Sequence, residues 1–178
     1  MLYKINAKRL INKSTRLTKG NTNQIEKRIN DLLTAKGSCR VVFTGAPGCG
    51  KSTLARAIKQ KGFLNLPKNR LFIIDDLRGP DSKKYKRKEL PLLIDEIKGR
   101  VLLLFDYKAA LYFKKADFCF ILDINEEERL NNLKMRSAWG FKKYKSRFYR
   151  TPPVPLTFSK NKTYVCSGNV LDTFGFSE

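Results

Sequence analysis

Residues Arg40-Val41-Val42-Phe43-Thr44-Gly45-Ala46-Pro47-Gly48-Cys49-Gly50-Lys51-Ser52-Thr53 run from an apolar segment into a complete G-x-x-x-x-G-K-[ST] pattern. The glycines fall where a backbone must curl round an anion and turn successive N–H groups inward. Gly45, Ala46, Pro47, Gly48, Cys49, Gly50, Lys51, Ser52 and Thr53 are therefore the expected nucleotide-binding residues. Lys51 is expected to reach the β and γ phosphates, and the Ser52 hydroxyl to join a Mg²⁺ shell. The flanks agree with the motif. Arg40 to Gly45 is β-branched and aromatic, as a buried parallel strand should be. Thr53 to Lys61 is rich in helix formers and is followed by Gly62, a natural helix stop. Such a helix would aim the positive end of its dipole at bound phosphate. ATP with Mg²⁺ is the expected cofactor.

Working outward, strands and helices alternate. A helix is expected over Gln24–Ala35, with Ile25, Ile29, Leu32 and Leu33 on one face and Gly37 leading into the loop strand. Arg70–Asp75 reads as the next strand. Pro80 to Glu89 is a basic, polar excursion, and Leu90–Ile97 a helix closed by Gly99. Arg100–Asp106, Phe118–Asp123 and Thr163–Cys166 read as further strands. Tyr107–Lys115 reads as a short helix, and a longer one begins at the Asn125 cap, carries Glu126, Glu127 and Glu128 in its first turn, and ends near Ala138. This alternation predicts an α/β fold: a parallel sheet of about five strands covered by helices on both faces. We divide the chain into residues 1–36, a basic arm with a short helix, and residues 37–178, the domain that carries the loop.

Composition narrows the chemistry. The chain has 178 residues and no histidine, which excludes imidazole bases and histidine-ligated metals. Its 37 Lys and Arg outnumber 16 Asp and Glu, a formal net charge of +21, so a polyanion is the expected partner and nucleic acid the commonest one. A lysine-rich genome would produce the same excess without any partner. Cys39, Cys49, Cys119 and Cys166 show no C-x-x-C spacing and point to reduced thiols and an intracellular setting. No apolar run reaches the length of a membrane span. Residues 1–25 are basic and free of acid, which fits an organellar transit peptide, a nucleic-acid arm or a disordered extension alike. Oligomeric state is not legible.

Two carboxylate positions bear on reactivity. Asp75-Asp76-Leu77-Arg78 ends the second strand, where ligands gather on a doubly wound sheet. Asp75 there suits a proton acceptor for a substrate hydroxyl, with Arg78 clamping an acceptor phosphate. The alternative is that Asp75 serves Mg²⁺ through water. A carboxylate across the cleft from the loop would favour the first role, and one beside Ser52 the second. So few residues separate Lys51 from Asp75 that no strand fits between the loop helix and this strand, which we expect to lie next to the loop strand. Asp106 ends an apolar run and suits outer-shell contact with Mg²⁺. Arg136 closes a helix and is the best-placed mobile cation over a γ-phosphate. Beyond it, Trp139, Phe141, Tyr144, Phe148 and Tyr149 interleave with lysines and arginines, a pattern equally suited to base stacking and to a half-buried helix face.

The loop motif, Asp75-Asp76-Leu77-Arg78, Val101–Asp106, the stretch from Ala116 to Arg136, and Tyr164–Asn169 together resemble small P-loop kinases, most closely the polynucleotide 5′-hydroxyl kinase group. The resemblance spans about residues 40 to 170. It implies a P-loop NTPase fold and transfer of phosphate from ATP to a nucleic acid end or a nucleotide-like acceptor. Asp75 would then be the general base, Arg78 the holder of an acceptor 3′-phosphate, and Arg136 a lid residue. A second resemblance, to viral superfamily 3 helicases, rests on Gly45–Ser52, on Ile73 to Gly79 and on Asn125. It implies a nucleic-acid-dependent ATPase working in host cytoplasm. A third reading is a P-loop nucleic-acid-binding component of a larger assembly.

Overall fold

The computed structural model describes residues 14–75, 99–105, 116–146 and 163–176. Asp76, Arg78, Asp106, the excursion at 80–89, the helices expected over 90–97 and 107–115, and Phe148 to Arg150 lie outside the described residues.

The strands are β1 (Thr15–Arg16), β2 (Ser38–Gly45), β3 (Leu71–Asp75), β4 (Arg100–Phe105), β5 (Phe118–Asp123) and β6 (Thr163–Ser167). The described helices are α1 (Lys19–Lys36), α2 (Lys51–Lys61), α3 (Glu126–Arg136), α4 (Ala138–Tyr144) and α5 (Val170–Thr173). All pairings are parallel, in the order β1-β6-β5-β2-β4-β3. The α/β class and the parallel sheet are as the sequence predicts.

Among the described residues the sheet has six strands where about five were expected, because Thr15 and Arg16 pair with Tyr164 and Val165. Two residues carry no readable periodicity, so this strand is defined by its partner alone. Leu17, Ile25 and Ile29 are buried in the same core as the loop strand, and α1 starts at Lys19, five residues before the expected Gln24. Its polar first turn is fixed by Asn21, whose Oδ1 accepts the Thr18 N–H and whose amide donates to Arg16 O. Gly37, at φ 70°, then turns the chain into β2.

A second difference concerns β3. Among the described residues it is the edge strand, and β4 lies between it and β2; the expectation that β3 neighbours the loop strand is corrected. The chain-order expectation holds, since only a short 3-10 turn (Lys68–Arg70) and an isolated bridge between Phe63 and Leu66 separate α2 from β3. From β2 the chain travels out to β3, returns as β4, and then crosses to the other side as β5 and β6. The sheet's topological switch thus falls at β2, and the carboxyl edge beside it is where doubly wound sheets open a crevice.

Alternate strand residues explain the core. Cys39, Val41 and Phe43 of β2 share a buried face with Val101, Leu103 and Phe105 of β4 and Phe118, Phe120 and Leu122 of β5. On that face pack Ile25 and Ile29 of α1, Leu54, Ala55 and Ile58 of α2, and Phe174. Phe43 stacks on Phe105 at 4.3 Å and on Phe120 at 5.0 Å between centroids, with the Phe63 edge at 5.7 Å. Aromatic pairs add about 0.5–1.5 kcal/mol each beyond burial, so the strand entering the glycine loop is held rigid. The opposite face, with Val42, Leu102, Leu104, Cys119 and Ile121, is buried too. That is why these strands read as continuous apolar runs.

Candidate functional site

Gly45 ends β2 in register with Leu122. A Cβ at Gly45 would lie 2.5 Å from Cys49 Sγ and 2.8 Å from Leu122 O, so only glycine lets the loop fold back here. Gly48 and Gly50 have φ of 93° and 87°, a region that L side chains rarely adopt. Gly50 caps α2, whose first turn begins at Lys51, two residues before the position expected from composition. The N–H groups of Lys51, Ser52 and Thr53 accordingly sit in the turn that has no intrahelical acceptors, at the positive end of the helix dipole. Lys51 Nζ bends back over the loop and donates to Gly45 O at 2.7 Å and Ala46 O at 3.1 Å, with Cys49 Sγ at 3.5 Å. A fixed cation therefore stands in the mouth of a ring of backbone groups.

Ser52 Oγ donates to Asp75 Oδ1 at 3.3 Å. The edge strand thus delivers its terminal carboxylate to the first turn of α2, and Asp75 stands beside Ser52, the arrangement that suits a metal role. A hydroxyl and a carboxylate at the base of the loop are hard oxygen donors of the kind Mg²⁺ takes. Among the described residues no cluster of three or more carboxylate, thiol or imidazole groups occurs; Mg²⁺ needs none, since it commonly takes one or two carboxylates, substrate phosphates and water. Residues Ser52 and Asp75 fit such an ion. Asp106, the other candidate, follows Phe105, whose partners in the sheet are Phe43 and Asp75, but itself lies outside the described residues, as does Arg78.

The loop's outer side is gripped by α3. Arg129 is only 2% exposed. Its Nε and Nη2 donate to the two Glu126 carboxylate oxygens at 2.8 Å each, and Nη1 donates to Pro47 O at 3.2 Å and Tyr144 O at 3.0 Å. Asn132 Nδ2 donates to Gly48 O at 3.0 Å. A Cβ at Gly48 would approach Arg129 O to 2.6 Å, so helix and loop are in direct backbone contact. Sequence reading missed Arg129 and Asn132. The i,i+3 spacing of Glu126 and Arg129 was visible as a surface pair, but nothing local showed that the pair would be roofed over by the loop.

Asn125 caps α3 as expected, accepting the Glu128 N–H at 2.8 Å, a structural task that accounts for an asparagine at this place. α3 ends at Arg136, and Ser137 caps a separate helix, α4, by accepting the Gly140 N–H. Arg136 is exposed and stands one turn beyond Asn132 on the helix face that fronts the loop. Of the interleaved aromatics, Phe141 and Tyr144 are partly buried whereas Trp139 is exposed. All four cysteines are free and buried. Burial pushes the Cys119 thiol up to about 12. Cys39 is raised further, by burial and then by the nearby Asp117 carboxylate, and Cys166 by burial and the neighbouring Cys119 and Cys49. No described helix is long and apolar enough to cross a membrane.

No family model, curated protein or solved structure matches the chain.

Proposed function

We propose that this chain binds a nucleoside triphosphate with Mg²⁺ in a P-loop and transfers its terminal phosphoryl group to a hydroxyl acceptor, a nucleic acid end being the class that suits the charge. The observation that carries this reading is the convergence of Lys51, Ser52 and Asp75 on a glycine loop at the topological switch of a parallel sheet. Phosphoryl transfer needs little covalent help from the protein; it needs in-line positioning and cations around a loose transition state. The loop N–H groups and Lys51 supply the cradle, and Ser52 with Asp75 would hold Mg²⁺, which neutralises phosphate charge when bound. Arg136 is free to lean over the γ-phosphate, and Arg78 is proposed as the acceptor clamp. Asp75 serves the metal in this reading rather than taking the acceptor proton. That assignment leaves transfer intact, because positioning and charge dominate this reaction.

The Ser52–Asp75 contact equally favours a second reading, a nucleic-acid-dependent ATPase in which Asp75 is the metal carboxylate. Against it stands the chain order, with β3 following α2 directly. Incubation with γ-labelled ATP and a 5′-hydroxyl oligonucleotide separates the two: label on the oligonucleotide supports the kinase, whereas oligonucleotide-stimulated free phosphate supports the ATPase. Lys51→Ala should abolish ATP binding with the fold retained, and unchanged affinity would refute the site. Asp75→Asn should weaken ATP binding only when Mg²⁺ is present. Full Mg²⁺-dependent affinity with transfer lost would instead make Asp75 the base.

A further inference from the structure

Trp139 is 66% exposed and Met135 87% exposed, the two large apolar side chains left in water among the described residues. The indole is nevertheless held in place. Tyr144 meets it edge-on, with ring planes at 87° and centroids 6.2 Å apart. Lys143, one turn along α4, places Nζ 4.4 Å from the indole centroid and 5.3 Å from that of Tyr144. Lys134 and Lys145 approach the Phe141 ring at 5.4 and 5.7 Å. From Arg129 to Ser146 the sequence contains no Asp or Glu, while Lys134, Arg136, Lys142, Lys143 and Lys145 are all exposed.

We propose that α4 and the end of α3 form a stacking platform for single-stranded nucleic acid, with a base laid on Trp139 and flanking phosphates held by Lys142, Lys143 and Arg136. A flat, pre-oriented ring inside an acid-free cationic surface is what an unpaired base and its backbone require, since stacking supplies sequence-tolerant affinity and lysines supply the phosphate contacts. The cations are complementary to a polyanion, and the apolar area is one ring and one methionine rather than the broad stripe of a membrane-surface helix. The platform is also tied to the loop, because Arg129 Nη1 donates to both Pro47 O and Tyr144 O. A strand lying here would be held on the element that grips the glycine loop. This rests on the nucleic-acid acceptor class proposed above and names the surface that selects it.

Trp139 is the chain's only tryptophan, so intrinsic fluorescence reports on this ring alone. The full chain, without ATP, is titrated with a 5′-hydroxyl oligothymidylate at low salt. Saturable quenching is expected, whereas heparin should bind without quenching. Trp139→Ala should lose about 5- to 100-fold in oligonucleotide affinity and Trp139→Phe should keep most of it. Replacing Lys142 and Lys143 by Gln should flatten the log–log salt dependence by about 1.4, from about 0.7 per released contact on a single strand. Three results would overturn the proposal: oligonucleotide binding without quenching, undiminished affinity in Trp139→Ala, or no oligonucleotide binding beside a fluorescence change with vesicles of phosphatidylserine and phosphatidylcholine. Because ATP is absent, a failure of the nucleotide site leaves this titration readable, and Lys51→Ala should bind the oligonucleotide like the parent.

Discussion

Replacing Arg129 by Met removes a guanidinium of which only 2% is exposed while keeping much of its volume. Four hydrogen bonds go with it: two to Glu126, one to Pro47 O and one to Tyr144 O. The Glu126 side chain is 28% exposed, so water can recover part of what it loses. Pro47 and Tyr144 are partly buried as well, and a buried acceptor that loses its donor costs about 1–3 kcal/mol. Breaking a buried ion pair by deleting one partner generally costs about 3–5 kcal/mol, and the partial exposure of Glu126 argues for the lower half of that range. About 3–4 kcal/mol is a large share of a typical stability of about 5–15 kcal/mol. Urea unfolding followed by circular dichroism should show a midpoint lowered in proportion with an unchanged slope. Arg129→Lys, which keeps the charge but not the planar fork, should fall between the two. Lys134→Met on the exposed side of the same helix should change stability by no more than about 0.5 kcal/mol. If Arg129→Met unfolded within about 1 kcal/mol of the parent, the clamp between loop, α3 and α4 would carry little energy, and the link from stacking platform to loop would fail with it.

Gly45→Ala forces a methyl to within 2.5 Å of Cys49 Sγ and 2.8 Å of Leu122 O; it should cost about 1–3 kcal/mol and weaken ATP binding measured by calorimetry. Cys49→Ala in the same chain should restore part of the stability and not all, because the Leu122 carbonyl remains in the way; full restoration would place the clash on sulfur alone. The buried thiols make stability fall in alkali. Their folded pKa values lie above the unfolded value, so the native state holds its protons longer, and stability present below pH 9 should drain away as pH rises toward 12. Urea midpoints at stepped pH check this, and the fall should be shallower in Cys119→Ala. A thiol reagent should label none of the four cysteines in native protein and all four in urea; fast native labelling at Cys119 would contradict its burial.

Features whose causes lie within a few residues were legible along the chain. Glycine spacing and the Lys51-Ser52 pair defined the loop, apolar runs defined β2 to β6, and Asn125 with three glutamates defined the start of α3. Those signals are local because backbone torsion, helix caps and the burial of a strand on both faces are written in adjacent side chains. The remaining features arise from contacts between distant segments. β1 exists only because Tyr164 and Val165 offer it an edge. Arg129 reads as a surface residue until the Pro47 carbonyl covers it. The side chains of Ser52 and Asp75 lie 23 residues apart in sequence, and nothing in either neighbourhood states that an edge strand, with β4 inserted beside it, will bring that carboxylate to the first turn of α2. Strand order is settled by which apolar faces can be buried together, a property of the whole chain, so the roles that depend on it cannot be read from any one segment.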